Sequence, residues 1–173
     1  MPIKTLFLLC HLTAVLLAAL ALWSMRHELS ERAATRLQWV LPPALSVVVA
    51  AILLIVSPGK RFELWTVGIV AGLAIGLVMG TTPTVIKDFA RELVRANRTW
   101  DGVAASALLL LLTLARVVTS DLMDRPSGKF GVLGATAAFV AAYLTGRVTT
   151  LLFYTAPKSI HLDMVRGQRR VTD

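Results

Sequence analysis

Two arginines, Arg116 and Arg147, stand inside or beside apolar stretches of the chain, and they are its best-placed residues for chemistry. A guanidinium at bilayer depth costs several kcal/mol unless it reaches a headgroup or finds a partner. Both arginines could extend to the headgroup regions, or they could hold an anionic ligand, a lipid phosphate or a carboxylate. Asp121 lies five residues beyond Arg116. Cys10 and His11 are the other reactive pair. Haem ligation within a membrane ordinarily takes a second histidine at matching depth, and His27 and His161 fall in polar segments instead. His11 is therefore expected to be structural, bonded to a backbone carbonyl or to Thr13, with Cys10 a small packing residue. No metal and no cofactor is expected.

Other chemistry finds little to use. Asp and Glu are absent from the middle of every apolar stretch, which weighs against a proton-coupled carrier. No Ser-His-Asp order, zinc-protease helix, phosphate-cradling loop or paired-carboxylate motif occurs. With a single cysteine no internal disulfide can form. An enzyme acting on lipid would need a polar cluster at one interface, for which Lys158, His161 and Asp163 are the candidates. The expectation is a non-enzymatic protein.

The elements that must position these residues are greasy. Of 173 residues, 56% are hydrophobic, and mean hydropathy is +0.71. Soluble domains sit nearer 45–50% apolar. Apolar segments of about 17–25 residues, the length that crosses a hydrocarbon core of about 30 Å, are expected at about 3–23, 39–57, 62–80, 103–119 and 130–154. A cleaved leader is the rival reading of the first, but its apolar run is long and Arg26, Arg32 and Arg36 follow it. Pro42 and Pro43 are read as lying in the first turn of the second span. The third span carries Gly68, Gly72, Gly76 and Gly80, every fourth residue, which makes a smooth ridge for close helix packing. After it, Thr82 and Pro83 suggest the cap and first residue of an amphipathic helix over 83–98. This helix would lie in the membrane interface, anchored by Phe89, Arg91, Arg95, Arg98 and Trp100. The fold class so predicted is all-α: one polytopic membrane domain over 1–173, with five transmembrane helices and one interfacial helix.

Charge orients it. Lys and Arg number three in 24–38, four in 81–102 and four in the tail, eleven on one side of such a bundle, against five on the other. Cationic loops favour the cytoplasm, so the N-terminus is expected outside and the C-terminus inside. The net charge of +8 then marks an anionic lipid surface as the partner rather than nucleic acid.

Four short motifs occur in order: Arg36-Leu-Gln-Trp-Val-Leu-Pro42-Pro43 entering span two, Trp65-Thr-Val-Gly68 in span three, Leu114-Ala-Arg116 closing span four, and Leu144-Thr-Gly-Arg147 late in span five. In this succession, over about residues 35–160, the chain resembles the CcdC-like family of small bacterial integral membrane proteins. The resemblance implies a link with cytochrome c biogenesis, in the company of thiol–disulfide carriers, and makes the paired prolines and the two arginines the positions to watch. The chain lacks a Cys-x-x-Cys pair, so Cys10 cannot relay a disulfide by itself. The function expected is that of an accessory or assembly protein bound to another membrane protein or redox complex. The alternative is a small transporter or channel for an anionic solute, using Arg116 and Arg147.

Overall fold

The computed structural model describes residues 3–29, 33–56, 62–83, 85–88, 93–97, 99–119 and 130–154. The first helix, α1 (Ile3–Ser24), passes through Met25 into the short α2 (Arg26–Leu29). After these come α3 (Arg36–Val56), α4 (Phe62–Met79), α5 (Asp101–Val117) and α6 (Phe130–Thr149), which widens into a π turn at Thr150–Tyr154. Four segments are long and apolar enough to cross a membrane: Thr5–Leu29, Arg36–Ile55, Phe62–Met79 and Val132–Phe153. The fourth predicted span, α5, has 17 residues and would reach about 25 Å at 1.5 Å per residue, short of a ~30 Å core.

The centre of the bundle is α6. It packs against α3, α4 and α5, and alanines at 137, 138 and 141 with Val140 and Leu144 line its buried sides. An apolar cluster surrounds it, built from Ala14 and Ala18 of α1, Val49 and Leu53 of α3, and Leu109 of α5. The most extensive helix pairing is α4 on α6, and the glycine ridge is its seam. A Cβ at Gly68 would stand 2.7 Å from the Ala135 carbonyl oxygen, and one at Gly80 would stand 2.6 Å from that of Arg147. At Gly72 and Gly76 it would overlap the carbonyls of Phe139 and Tyr143 outright. Only a residue without a side chain lets the two backbones approach this closely.

The ends of α1, α4 and α6 meet the beginnings of α3 and α5, so successive helices alternate in direction. A small antiparallel sheet sits at this shared end, in the order β1-β3-β2, made of β1 (Ala34–Thr35), β2 (Val85–Asp88) and β3 (Leu93–Ala96). It pairs Ala34 with Val94 and Val85 with Ala96. Those four residues bury one face against Trp39, Val148 and Leu151. Trp39 is 2% exposed, and its Nε1 donates to the Val94 carbonyl at 3.2 Å.

This sheet replaces the predicted interfacial helix over 83–98. A tryptophan removes some 150–250 Å² from water when buried, about 4–6 kcal/mol at ~25 cal/mol per Å². The strands provide the lid that encloses Trp39. Locally, buried Val94 and Ala96 flank exposed Arg95, the period-2 alternation of a half-buried strand. Thr82 and Pro83 likewise end α4 rather than open a new helix. The Thr81 and Thr82 hydroxyls donate back to the carbonyls of Val78 and Met79 at 2.7 and 2.8 Å. The start of α3 differs too. It begins at Arg36, because Thr35 and Gln38 form a reciprocal capping box: Thr35 N–H donates to Gln38 Oε1 at 3.0 Å and Gln38 N–H to Thr35 Oγ1 at 3.4 Å. Pro42 and Pro43 are therefore buried in its second turn, not its first.

Gly76→Val is expected to lower the detergent unfolding midpoint. Overpacking of ~1–3 kcal/mol at roughly 2–4 °C per kcal/mol gives a loss of several degrees. Ala74→Leu, on the exposed side of the same helix, should leave the midpoint within about a degree of wild type, as a surface substitution does. Thermal melts of the two variants side by side decide it.

Candidate functional site

The side chain of Arg147 is wholly enclosed, at 0% exposure. It lies in the last turn of α6, where Gly76 and Gly80 hold α4 against its backbone. With one flank of α6 occupied in this way, the guanidinium reaches across to α2 and the start of α5. There Nη1 donates to Glu28 Oε1 at 2.7 Å and Nη2 to Glu28 Oε2 at 3.4 Å. Nη2 also donates to Thr99 Oγ1 at 2.7 Å, and Thr99 in turn donates to Glu28 Oε2 at 3.4 Å. Asp101 Oδ2 stands 3.8 Å from Nε.

Local sequence explains each position. Met25 interrupts α1, and the Glu28 N–H bonds its carbonyl at 3.0 Å. The resulting short α2 turns Glu28 inward to 2% exposure. Thr99 and Asp101 bracket Trp100, the residue from which α5 starts. Gly102 makes the room: a Cβ there would lie 2.6 Å from Glu28 Oε2 and 3.0 Å from Arg147 Nη1. The Glu28 carboxylate thus sits beside the first turn of α5, where the helix dipole favours negative charge. Next to it, His27 Nδ1 donates to the Ser24 carbonyl at 2.6 Å, and its ring meets Trp39 edge-on at 4.6 Å.

The two arginines are not brought together. Arg116 is buried at 4% exposure in the last turn of α5, whereas Arg147 lies against the first. Fourteen residues of helix from Gly102 to Arg116 put about 21 Å between those positions. Along α5 between those positions lie buried Ser106, Leu109 and Thr113. Arg147 does not reach a headgroup, because an internal carboxylate takes that place. The Thr13 hydroxyl bonds the Leu9 carbonyl at 2.8 Å, His11 is buried and Cys10 half-buried. Of the predicted interfacial anchors, Arg95 is exposed on β3 and Trp100 is 59% exposed beside α5. Phe89, Arg91 and Arg98 lie outside the residues whose side chains are described, as do Lys158, His161 and Asp163. Among the described residues, no group of three or more His, Cys, Asp or Glu is placed to hold a metal ion.

Sequence reasoning missed Glu28, Thr99, Asp101 and Gly102. A signal was available: in the predicted topology Glu28 and Arg147 fall at the same end, and opposite charges at matching depth are natural partners. Comparison with family models, with curated proteins and with solved structures gives no match.

Breaking a buried ion pair from one side leaves a charge uncompensated, at about 3–5 kcal/mol. Arg147→Met and Glu28→Leu are each expected to destabilise the protein strongly, and the double variant is expected to recover much of the loss. A double-mutant cycle on detergent unfolding measures this. Additive losses would mean the two side chains do not act as a pair.

Proposed function

We propose that this chain is a non-enzymatic accessory or assembly protein of the bacterial inner membrane, crossing the bilayer five times with its N-terminus outside and its C-terminus in the cytoplasm. The observation that carries the proposal is the use made of Arg147. Its Nη1 and Nη2 donate to Glu28 and Thr99 of the same chain, so this buried arginine braces the fold. The alternating direction of the helices supports α5 as the fifth crossing. It gathers the 24–38 and 81–102 connections, both rich in arginine, at the end where α6 finishes.

The anion-transporter reading fares less well, because about 21 Å of helix separates the two arginines it would employ. Attachment to cytochrome c biogenesis or another redox complex comes from the resemblance to CcdC-like proteins. With only Cys10 available, the role would be to hold a partner rather than to exchange disulfides.

The test is purification of tagged full-length protein from native membranes in a mild detergent. One membrane protein partner in stoichiometric amount is expected. Recovery of the chain alone, together with anion uptake in proteoliposomes that Arg147→Lys abolishes, would replace the accessory role with transport.

A further inference from the structure

The apolar surface of the bundle has nearly one height on every helix, and that height is small. Exposed apolar side chains run along α1 from Leu6 to Trp23 and along α4 from Phe62 to Met79, about 27 Å in each case at 1.5 Å per residue. By the same rise α5 reaches about 25 Å. The longer helices α3 and α6 place their surplus under the sheet, where Trp39, Val148 and Leu151 pack against the strands. Below that level α3 continues over residues 40–55 and α6 over 132–147, about 24 Å each. These are axial lengths, and an average tilt of about 20° would bring all five to roughly 23–25 Å.

Neither end leaves room for more hydrocarbon. An open sheet beside lipid would leave edge N–H and C=O groups without water, so the strands are excluded from the hydrocarbon. The boundary therefore passes below β1, β2 and β3. Exposed Trp23 and Trp100 stand at that depth, the place tryptophan takes at a membrane interface, and exposed Arg26, Arg36 and Arg95 lie close by on the same end. At the opposite end Phe62 and Trp65 meet edge-on, with centroids 5.2 Å apart. Glu63 is exposed between them, and Lys60 and Arg61 precede them in the chain. A core of the ordinary ~30 Å would have to cover Glu63 at one end or Thr81 and Thr82 at the other, all three of them exposed.

We infer that the outer surface of this protein fits a hydrocarbon core of about 25 Å, and that it gathers phospholipids with short acyl chains in preference to longer ones. The inference rests on membrane residence, but not on the accessory role or on which side either terminus lies. Full-length protein is reconstituted into vesicles of brominated eighteen-carbon phosphatidylcholine mixed with unbrominated phosphatidylcholine of fourteen to twenty-two carbons per chain. Tryptophan fluorescence then reports how far each unbrominated lipid displaces the quencher from the protein surface. Displacement is expected to be greatest at sixteen carbons or fewer and to fall at least twofold by twenty-two. Bromines beside the ester groups should quench wild type more than Trp23→Phe, whereas bromines at the methyl ends should quench the two alike. A displacement maximum at eighteen carbons or more, no dependence on chain length, or the reverse order of quenching would overturn the thickness. Protein that fails to float with vesicles of any chain length would overturn membrane residence along with it, so the two failures are distinguishable.

Discussion

Enclosing a guanidinium among apolar helices costs several kcal/mol unless a partner is enclosed with it, and Arg147 finds its carboxylate only because several chain segments converge on it. The carboxylate comes from α2, which exists because α1 breaks at Met25. The bridging hydroxyl comes from Thr99, just ahead of α5, and the space comes from Gly102. On the far side of the same residue, Gly76 and Gly80 bring α4 against the α6 backbone. Helices distant in sequence are thereby fixed to one another at one charged point. The apolar cluster around Leu109 and Leu144 supplies burial but little direction, since greasy surfaces slide. The ion pair supplies register.

The sheet belongs to the same arrangement. β1 lies between α2 and α3, and β3 precedes Thr99 by only a few residues. Holding Val94 over Trp39 therefore also positions Thr99 beneath the guanidinium. The end of the bundle that carries the charge is held together in two linked ways, one apolar and one ionic. An interior committed this fully to its own support is consistent with a protein that offers its surface, rather than a cavity, to whatever it serves.

Much of this architecture was legible in the chain. Apolar length marked the long helices close to their observed limits, and the four-residue glycine spacing marked the face of α4 that meets α6. Both signals are local and repeat over several turns. Residues 83–98 misled for the opposite reason. Scattered apolar positions fit a 3.6-residue period as readily as a 2-residue one when each strand has only four residues, and what decides between them is Trp39, far away in sequence. The capping box at Thr35 and Gln38 is a local signal of the same kind, two turns ahead of the prolines. The pairing of Glu28 with Arg147 spans 119 positions. No local pattern encodes it, although depth matching across a predicted topology could have suggested it.

The glycine seam also has a consequence for how the chain is made. Among the described residues, α6 is the only element with which α4 makes extended contact. Yet α6 finishes at Thr149, seventy residues after α4 ends at Met79. At about 5–20 residues per second, a ribosome needs several seconds to supply that surface. Throughout the interval α4 has a bare strip of backbone along one side. Gly68, Gly72, Gly76 and Gly80 thus shape the order of assembly as well as its product: α6, the last of the described helices to emerge, is the one that closes the bundle.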